Sequence, residues 1–289
     1  MKDLMNFEHR WKLRDWIDIN RIDRIRLSFN RSAIYLLEAN PDKIHWGHLS
    51  SNPSAIHLLE KNYDTEKIDW CNLSLNPSAI HLLEANPDKI YWTFLSLNPS
   101  AIHLLENNLD KIHWQWLSQN PSGIHLLEEN FDKIDWEWLS QNPSAIHLLE
   151  NYPDKIDWKK LSYNPSAIHL LENNLDKIDW TNLSMNPSAI HILEQNPDKI
   201  DWDALCCNSS AIHLLQANLD KIDLEYLSQF PSAIHLLEEN PDKIDWQWLS
   251  QNPAIFELDL EFLQRRMDII REELIEKTWH PSRFQKWCI

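Results

Sequence analysis

The chain has 289 residues, only two of them glycine (Gly47 and Gly123), and a formal net charge of −17. So little glycine leaves no loop that could cradle a phosphate, which excludes the common nucleotide-binding enzymes. The charge is concentrated in residues 27–252, with 14 basic against 32 acidic side chains; such a surface repels phosphate backbones and anionic lipid, so neither direct nucleic-acid binding nor membrane binding is expected.

Residues 1–26 read as an N-terminal cap. Ile22 takes the place that Ile44 holds in the repeats that follow, but Arg24 stands where they carry Trp46, and polar residues surround Trp11, Leu13, Trp16 and Ile17. An end-cover needs this pattern, apolar inward and basic outward. The opening MKDLMNFEHRWKLRDW has no signal-peptide core, and no run reaches the roughly 18 apolar residues of a spanning helix. Cys71, Cys206, Cys207 and Cys288 show neither disulfide nor zinc spacing, which fits a reducing, intracellular setting.

From Leu27 onward a 22-residue sentence repeats almost verbatim, and Leu183–Ala204, LSMNPSAIHILEQNPDKIDWDA, is a clean copy. Copies begin at Leu27, Leu49, Leu73, Leu95, Leu117, Leu139, Leu161, Leu183, Leu205 and Leu227, and an eleventh starts at Leu249 and breaks off. A period of this kind is the signature of a solenoid. Within a copy, Asn186 and Pro187 predict a helix start. Ala189, Ile190, Ile192 and Leu193 share one helical face, with His191 opposite. Asn196 is read as a left-handed stop before Pro197. Asp201 is placed to cap a second short helix carrying Trp202 and Leu205, whose three-residue spacing suits either an α or a 3₁₀ form.

One copy should not fold alone: burying its apolar side chains contributes about 2–3 kcal/mol each, against roughly 1–2 kcal/mol per residue to order the backbone. The expected fold is therefore all-α, an α-solenoid spanning 27–252, about 80–100 Å long if copies advance by a helix-packing distance. Two extra residues in KNYDTEKIDW should bulge before Ile68 without disturbing the stack. The ninth copy, with Cys206, Cys207, Ser209, Gln216 and Leu224 in place of the usual residues, is where looser packing or altered curvature is expected. Beyond Pro253, Leu263, Met267, Ile270 and Leu274 predict one amphipathic helix over 255–277. With 253–289 as the C-terminal cap, that helix should lie across the open face of the last copy. The tail TWHPSRFQKWCI is short, aromatic and basic, suited to folding back or to engaging a partner.

The pattern NPSAIHLLExNPDKIDWxxLS resembles tandem short helical repeats in proteins of large DNA viruses that infect amoebae, and the ending EELIEKTWHPSRFQKWC is similar to a C-terminal signature of such proteins. The resemblance implies a host-cytoplasmic or virion location and little about activity. The Asn-Pro entry to alternating longer and shorter helical elements also looks like the leucine-rich variant repeat, from which this chain departs in repeat length and in its tryptophan column.

Three columns invite chemistry. The histidine ladder includes His103, His125 and His147. Its rungs, about 8–10 Å apart, are too far apart to share a metal whose ligands sit about 2 Å from it, so it is read as a solvated or hydrogen-bonded ridge, with partner contact as the second reading. The Trp92 to Trp202 column reads as core. Two residues after each tryptophan comes a position that varies while the scaffold does not, and Phe94, Trp116 and Trp138 occupy it in successive copies. They form either an exposed stripe that binds a partner or rings lying flat over core edges. The repeated Asp-Lys pairs read as turn caps with solvated lysines. No catalytic residue, cofactor site or metal site is expected. The functional expectation is a non-enzymatic scaffold for a protein partner, with a virion structural component or an acidic nucleic-acid mimic as alternatives.

Overall fold

The computed structural model describes residues 11–62 and 66–278. Residues 63–65, within the stretch that carries the two extra residues, and the tail after 278, on which two of the expectations fall, lie outside them.

Each copy folds as two short α-helices joined by 3₁₀ turns. In the clean copy these are Ile190–Gln195, the turn Pro197–Lys199 and Trp202–Leu205. Asp201 caps the second, its carboxylate accepting the Ala204 N–H at 3.0 Å, so the tryptophan-bearing element is α-helical and the 3₁₀ pieces are the connectors. Asn196 is not the left-handed stop that was expected. Its φ is −133°, no non-glycine residue among those described has positive φ, and its side chain instead donates to the Ile192 carbonyl at 2.9 Å. That bond satisfies a helix-end carbonyl without any left-handed residue.

The apolar face packs as the periodicity predicts. Ala189, Ile192, Leu193, Leu205 and Ile200 are buried. Between neighbouring copies, however, the interior carries a polar framework. The Asn186 carboxamide donates to the carbonyls of Ser162 and Asn164 in the preceding copy, both at 3.0 Å, while its oxygen accepts the Ser188 N–H. Ser184 donates to the Trp180 carbonyl and accepts, at 3.1 Å, the N–H of Asp201, which caps the next tryptophan-bearing helix. Both residues are fully buried. The same pair of bonds recurs from copy to copy, for instance at Asn98, Asn142 and Asn164. Each bond is worth about 1 kcal/mol net, and leaving a buried carbonyl unmet costs more.

The stack does not end in two covers. The Asn30 side chain donates to the carbonyls of Ser250 and Asn252 at 3.1 and 2.9 Å, the bonds that Asn52 makes to Ser28 and Asn30. The Asp23 N–H donates to Ser250 Oγ at 2.7 Å, as the His45 N–H does to Ser28 Oγ. The first copy thus takes the last as its predecessor, and the solenoid is a closed ring. Its units are marked by Ser28, Ser50, Ser74, Ser96, Ser118, Ser140, Ser162, Ser184, Cys206, Ser228 and Ser250. A latch completes it: Trp11–Leu13 pairs antiparallel with Phe256–Leu258, Trp11 opposite Leu258 and Leu13 opposite Phe256. Arg14 donates through Nε to the Ala254 carbonyl at 2.7 Å and pairs with Glu257 at 3.3 Å. The apolar side of residues 11–22 therefore covers the open face of the last unit, with Ile17 and Ile22 buried.

Two expectations are corrected by this closure. The molecule is not an open rod. Nor does the C-terminal helix, Leu260–Thr278, cover the last copy: Leu260, Met267, Ile270 and Leu274 on it are exposed, because the face they were to cover is already taken by the N-terminal segment.

Candidate interaction surface

The tryptophan-bearing helices of neighbouring copies contact one another, whereas the histidine-bearing helices lean mainly on their own turns. In a closed ring the more closely spaced set describes the smaller circle, so the tryptophan helices form the inner wall and the histidines the outer one.

On the outer wall each histidine from His57 to His213 reaches the glutamate of the copy before it. His103 Nε2 lies 2.9 Å from Glu84, His125 2.8 Å from Glu106 and His147 2.7 Å from Glu128. The pattern runs from His57–Glu38 to His213–Glu194. The ridge is hydrogen-bonded, and each half-exposed pair is worth less than about 1 kcal/mol. Among the described residues no group of three or more His, Cys, Asp and Glu side chains is arranged to hold a metal ion.

The tryptophans are half-buried rather than fully core. Several have a lysine of the following turn over the ring, with Lys111 Nζ 4.5 Å from the Trp92 ring centre, Lys177 4.4 Å from Trp158 and Lys199 4.6 Å from Trp180, whereas Trp136 packs against Phe131 and Tyr152. Arg21 does the same to Trp246 across the closure, at 4.2 Å. These lysines are cation–π partners and not simply solvated. Their Asp neighbours, such as Asp88 and Asp198, remain exposed, so the turns present carboxylates outward.

The variable column is mostly half-buried as well, with Tyr226 exposed, and parts of it are stitched from copy to copy. The rings of Trp116 and Trp138 stack 6.2 Å apart at 23°. Lys160 Nζ lies 4.0 Å over Trp138, and Arg26 lies 4.3 Å over Trp248 across the closure. Phe94 is half-buried on the copy before Trp116. His48 stacks on Phe29 at 3.9 Å, and burial lowers its imidazole pKa from the usual value. The rings therefore lie partly over core edges, as the second of the two readings has it, and leave part of their surface to solvent. One residue earlier on the same helices, Thr93, Gln115 and Glu137 are exposed.

Sequence reasoning missed the buried Ser–Asn framework. Its signal was present in the constant Ser-x-Asn spacing, but Asn before Pro is also the pattern of a plain helix cap, which masked its second role. Among the described residues no helix is long and apolar enough to cross a membrane. Set against family models, curated proteins and solved structures, the chain matches none.

Proposed function

We propose that this protein is a non-enzymatic scaffold that binds a protein partner along the inner wall of its ring. The supporting observation is the division of labour between positions. Serine, asparagine, histidine, glutamate, lysine and tryptophan are spent on bonds between copies, while the two positions after each tryptophan change from copy to copy on a framework that stays fixed. A rigid wall with varied side chains is what selective recognition uses. The segment bearing Phe94, Trp116 and Trp138, rimmed by Thr93, Gln115 and Glu137, offers aromatic edges beside an acidic group. It suits a partner carrying apolar and basic side chains. His103, His125 and His147 stand on the outer wall and are engaged with glutamates, so they serve cohesion of the ring in this reading.

The test is affinity purification with quantitative mass spectrometry, comparing the intact chain with Phe94→Ser/Trp116→Ser/Trp138→Ser. Because Trp116 and Trp138 also stack, Thr93→Arg/Gln115→Arg is run in parallel; it changes the same wall without touching a stitching contact. A stoichiometric partner lost in both variants supports the scaffold, and a partner retained in both rejects this face. A salt-sensitive complex with a basic nucleic-acid-binding protein, insensitive to both variants, would favour mimicry through the outward carboxylates.

A further inference from the structure

The C-terminal helix Leu260–Thr278 carries an apolar stripe that the ring leaves in solvent. Leu260, Met267, Ile270 and Leu274 are 70, 61, 47 and 65% exposed. With Leu263 they follow a spacing of three, four, three and four residues, the a and d positions of a coiled-coil seam. Leu263 is half-buried and its four seam neighbours are exposed, while Phe262 and Ile269, also half-buried, lie beside the seam. Asp259 caps the helix through the Phe262 N–H at 2.8 Å, so the stripe begins at a fixed point, directly after the latch strand.

We propose that this helix is a dimerisation element that pairs antiparallel with the same helix of a second copy of the chain. Two-fold pairing with Met267 against Ile270 of the other copy also sets Leu263 against Leu274, so the seam is complementary to itself. The flanking charges select the direction. In the antiparallel arrangement Arg266 of one copy faces Glu273 of the other, twice by symmetry, and Gln264 faces Arg271. In the parallel arrangement Arg266 of each copy would meet Arg271 of the other, two like-charge pairs with no compensation. A helix pair of this length buries roughly 1,000 Å², at the lower end of what a stable interface needs. The two chains each carry −17, and their repulsion is screened by salt. The dimer is therefore expected to tighten as ionic strength rises, opposite to an association held by charge attraction.

Sedimentation of the full chain tests this. The expected mass is twice 34.5 kDa at tens of micromolar and moderate salt, falling to the single-chain mass in Met267→Glu and Ile270→Glu with unchanged far-ultraviolet dichroism, and dissociating at least 10-fold more readily. Orientation is read by mixing Leu263→Cys with Leu274→Cys and mapping the disulfide by peptide mass spectrometry, which also separates it from bonds made by the native cysteines. A 263–274 link between chains supports the antiparallel pair, and a 263–263 link overturns the orientation. A wild-type chain that stays monomeric at all salt concentrations, or a dimer unaffected by both substitutions, overturns the proposal; the first would leave residues 1–10 or 279–289 of the same chain to cover the stripe.

Discussion

At the scale of single residues, the buried Asn and Ser side chains hold neighbouring copies in register. Asn142 donates to the carbonyls of Ser118 and Asn120. Asn142→Leu should cost about 2–4 kcal/mol, because two buried acceptors lose their donor. Urea unfolding measures it, and a cost below about 1 kcal/mol would show that the carbonyls find other partners. Cys206 tests the serine position. Its thiol donates to the Trp202 carbonyl at 3.2 Å, and burial above all raises its pKa from 9.0 to about 12. A folded value above the unfolded one means a contribution present below pH 9 and lost between pH 9 and about 12, as the unfolded chain sheds the proton first. Thermal melting should therefore fall in alkali more steeply for the wild type than for Cys206→Ser; parallel curves would contradict the burial. Gly123 stands where nine other copies carry alanine, and a Cβ there would clash with the end of the Leu117 side chain. Its φ of −91° is ordinary and the clashing atoms are the far end of a flexible side chain, so Gly123→Ala should stabilise by about 0.5–1 kcal/mol once Leu117 shifts aside. A denaturation midpoint that falls instead would mean Leu117 cannot give way.

At the scale of elements, the junctions between units are not equal. Five of them, joining the units from Ser50 to Ser118 and from Ser162 to Cys206, carry four kinds of bond: the Asn and Ser bridges, the His–Glu pair and the lysine over tryptophan. Between the units marked by Cys206 and Ser228 the Asn place is Phe230, the serine is Cys206, and Gln216 occupies the position whose glutamate pairs with a histidine elsewhere. Of the four, only Lys221 over Trp202 remains, at 4.5 Å. Backbone amides flanking this junction, Asp223 first among them, should exchange with solvent well before those around Asn142 and Asn164. Uniform protection around the ring would mean that apolar packing alone sets the junction strength. The sequence marked this copy as the irregular one, and the weakness is legible there residue by residue. The two helices of each copy and their apolar face were legible for the same reason: periodicity reports burial directly. The part the rings of Phe94, Trp116 and Trp138 play was not, since whether a ring stacks on its neighbour depends on the spacing between copies, which no single copy contains.

At the scale of the molecule, closure was invisible in the sequence because it is a property of the sum of small rotations between copies, and Ile22 in a repeat-like register was its one local sign. Closure sets what solution scattering should show. An open stack 80–100 Å long has a radius of gyration of about 23–29 Å, while the closed ring should lie near 20 Å, close to the value for a globular chain of this size. Asn30→Leu combined with Arg14→Ala removes the side-chain hydrogen-bond donors of the closure, leaving the Asp23 N–H on Ser250 Oγ, and should shift the radius toward the open value. A radius unchanged by the pair would place the strength of the closure in the strand pairing and the apolar contacts of Ile17 and Ile22.

An open array of near-identical copies can gain or lose one at little cost, since each copy answers only to its neighbours. A ring cannot. With eleven units each must turn the chain by ~33° for the bonds of Asn30 to reach Ser250 and Asn252. A coding sequence this repetitive is prone to slippage during replication, yet one copy more or fewer would leave the latch strands facing empty space. The hydrogen bonds that shut the circle thus act as a counter, holding at a fixed number a repeat that its own genetics would let drift.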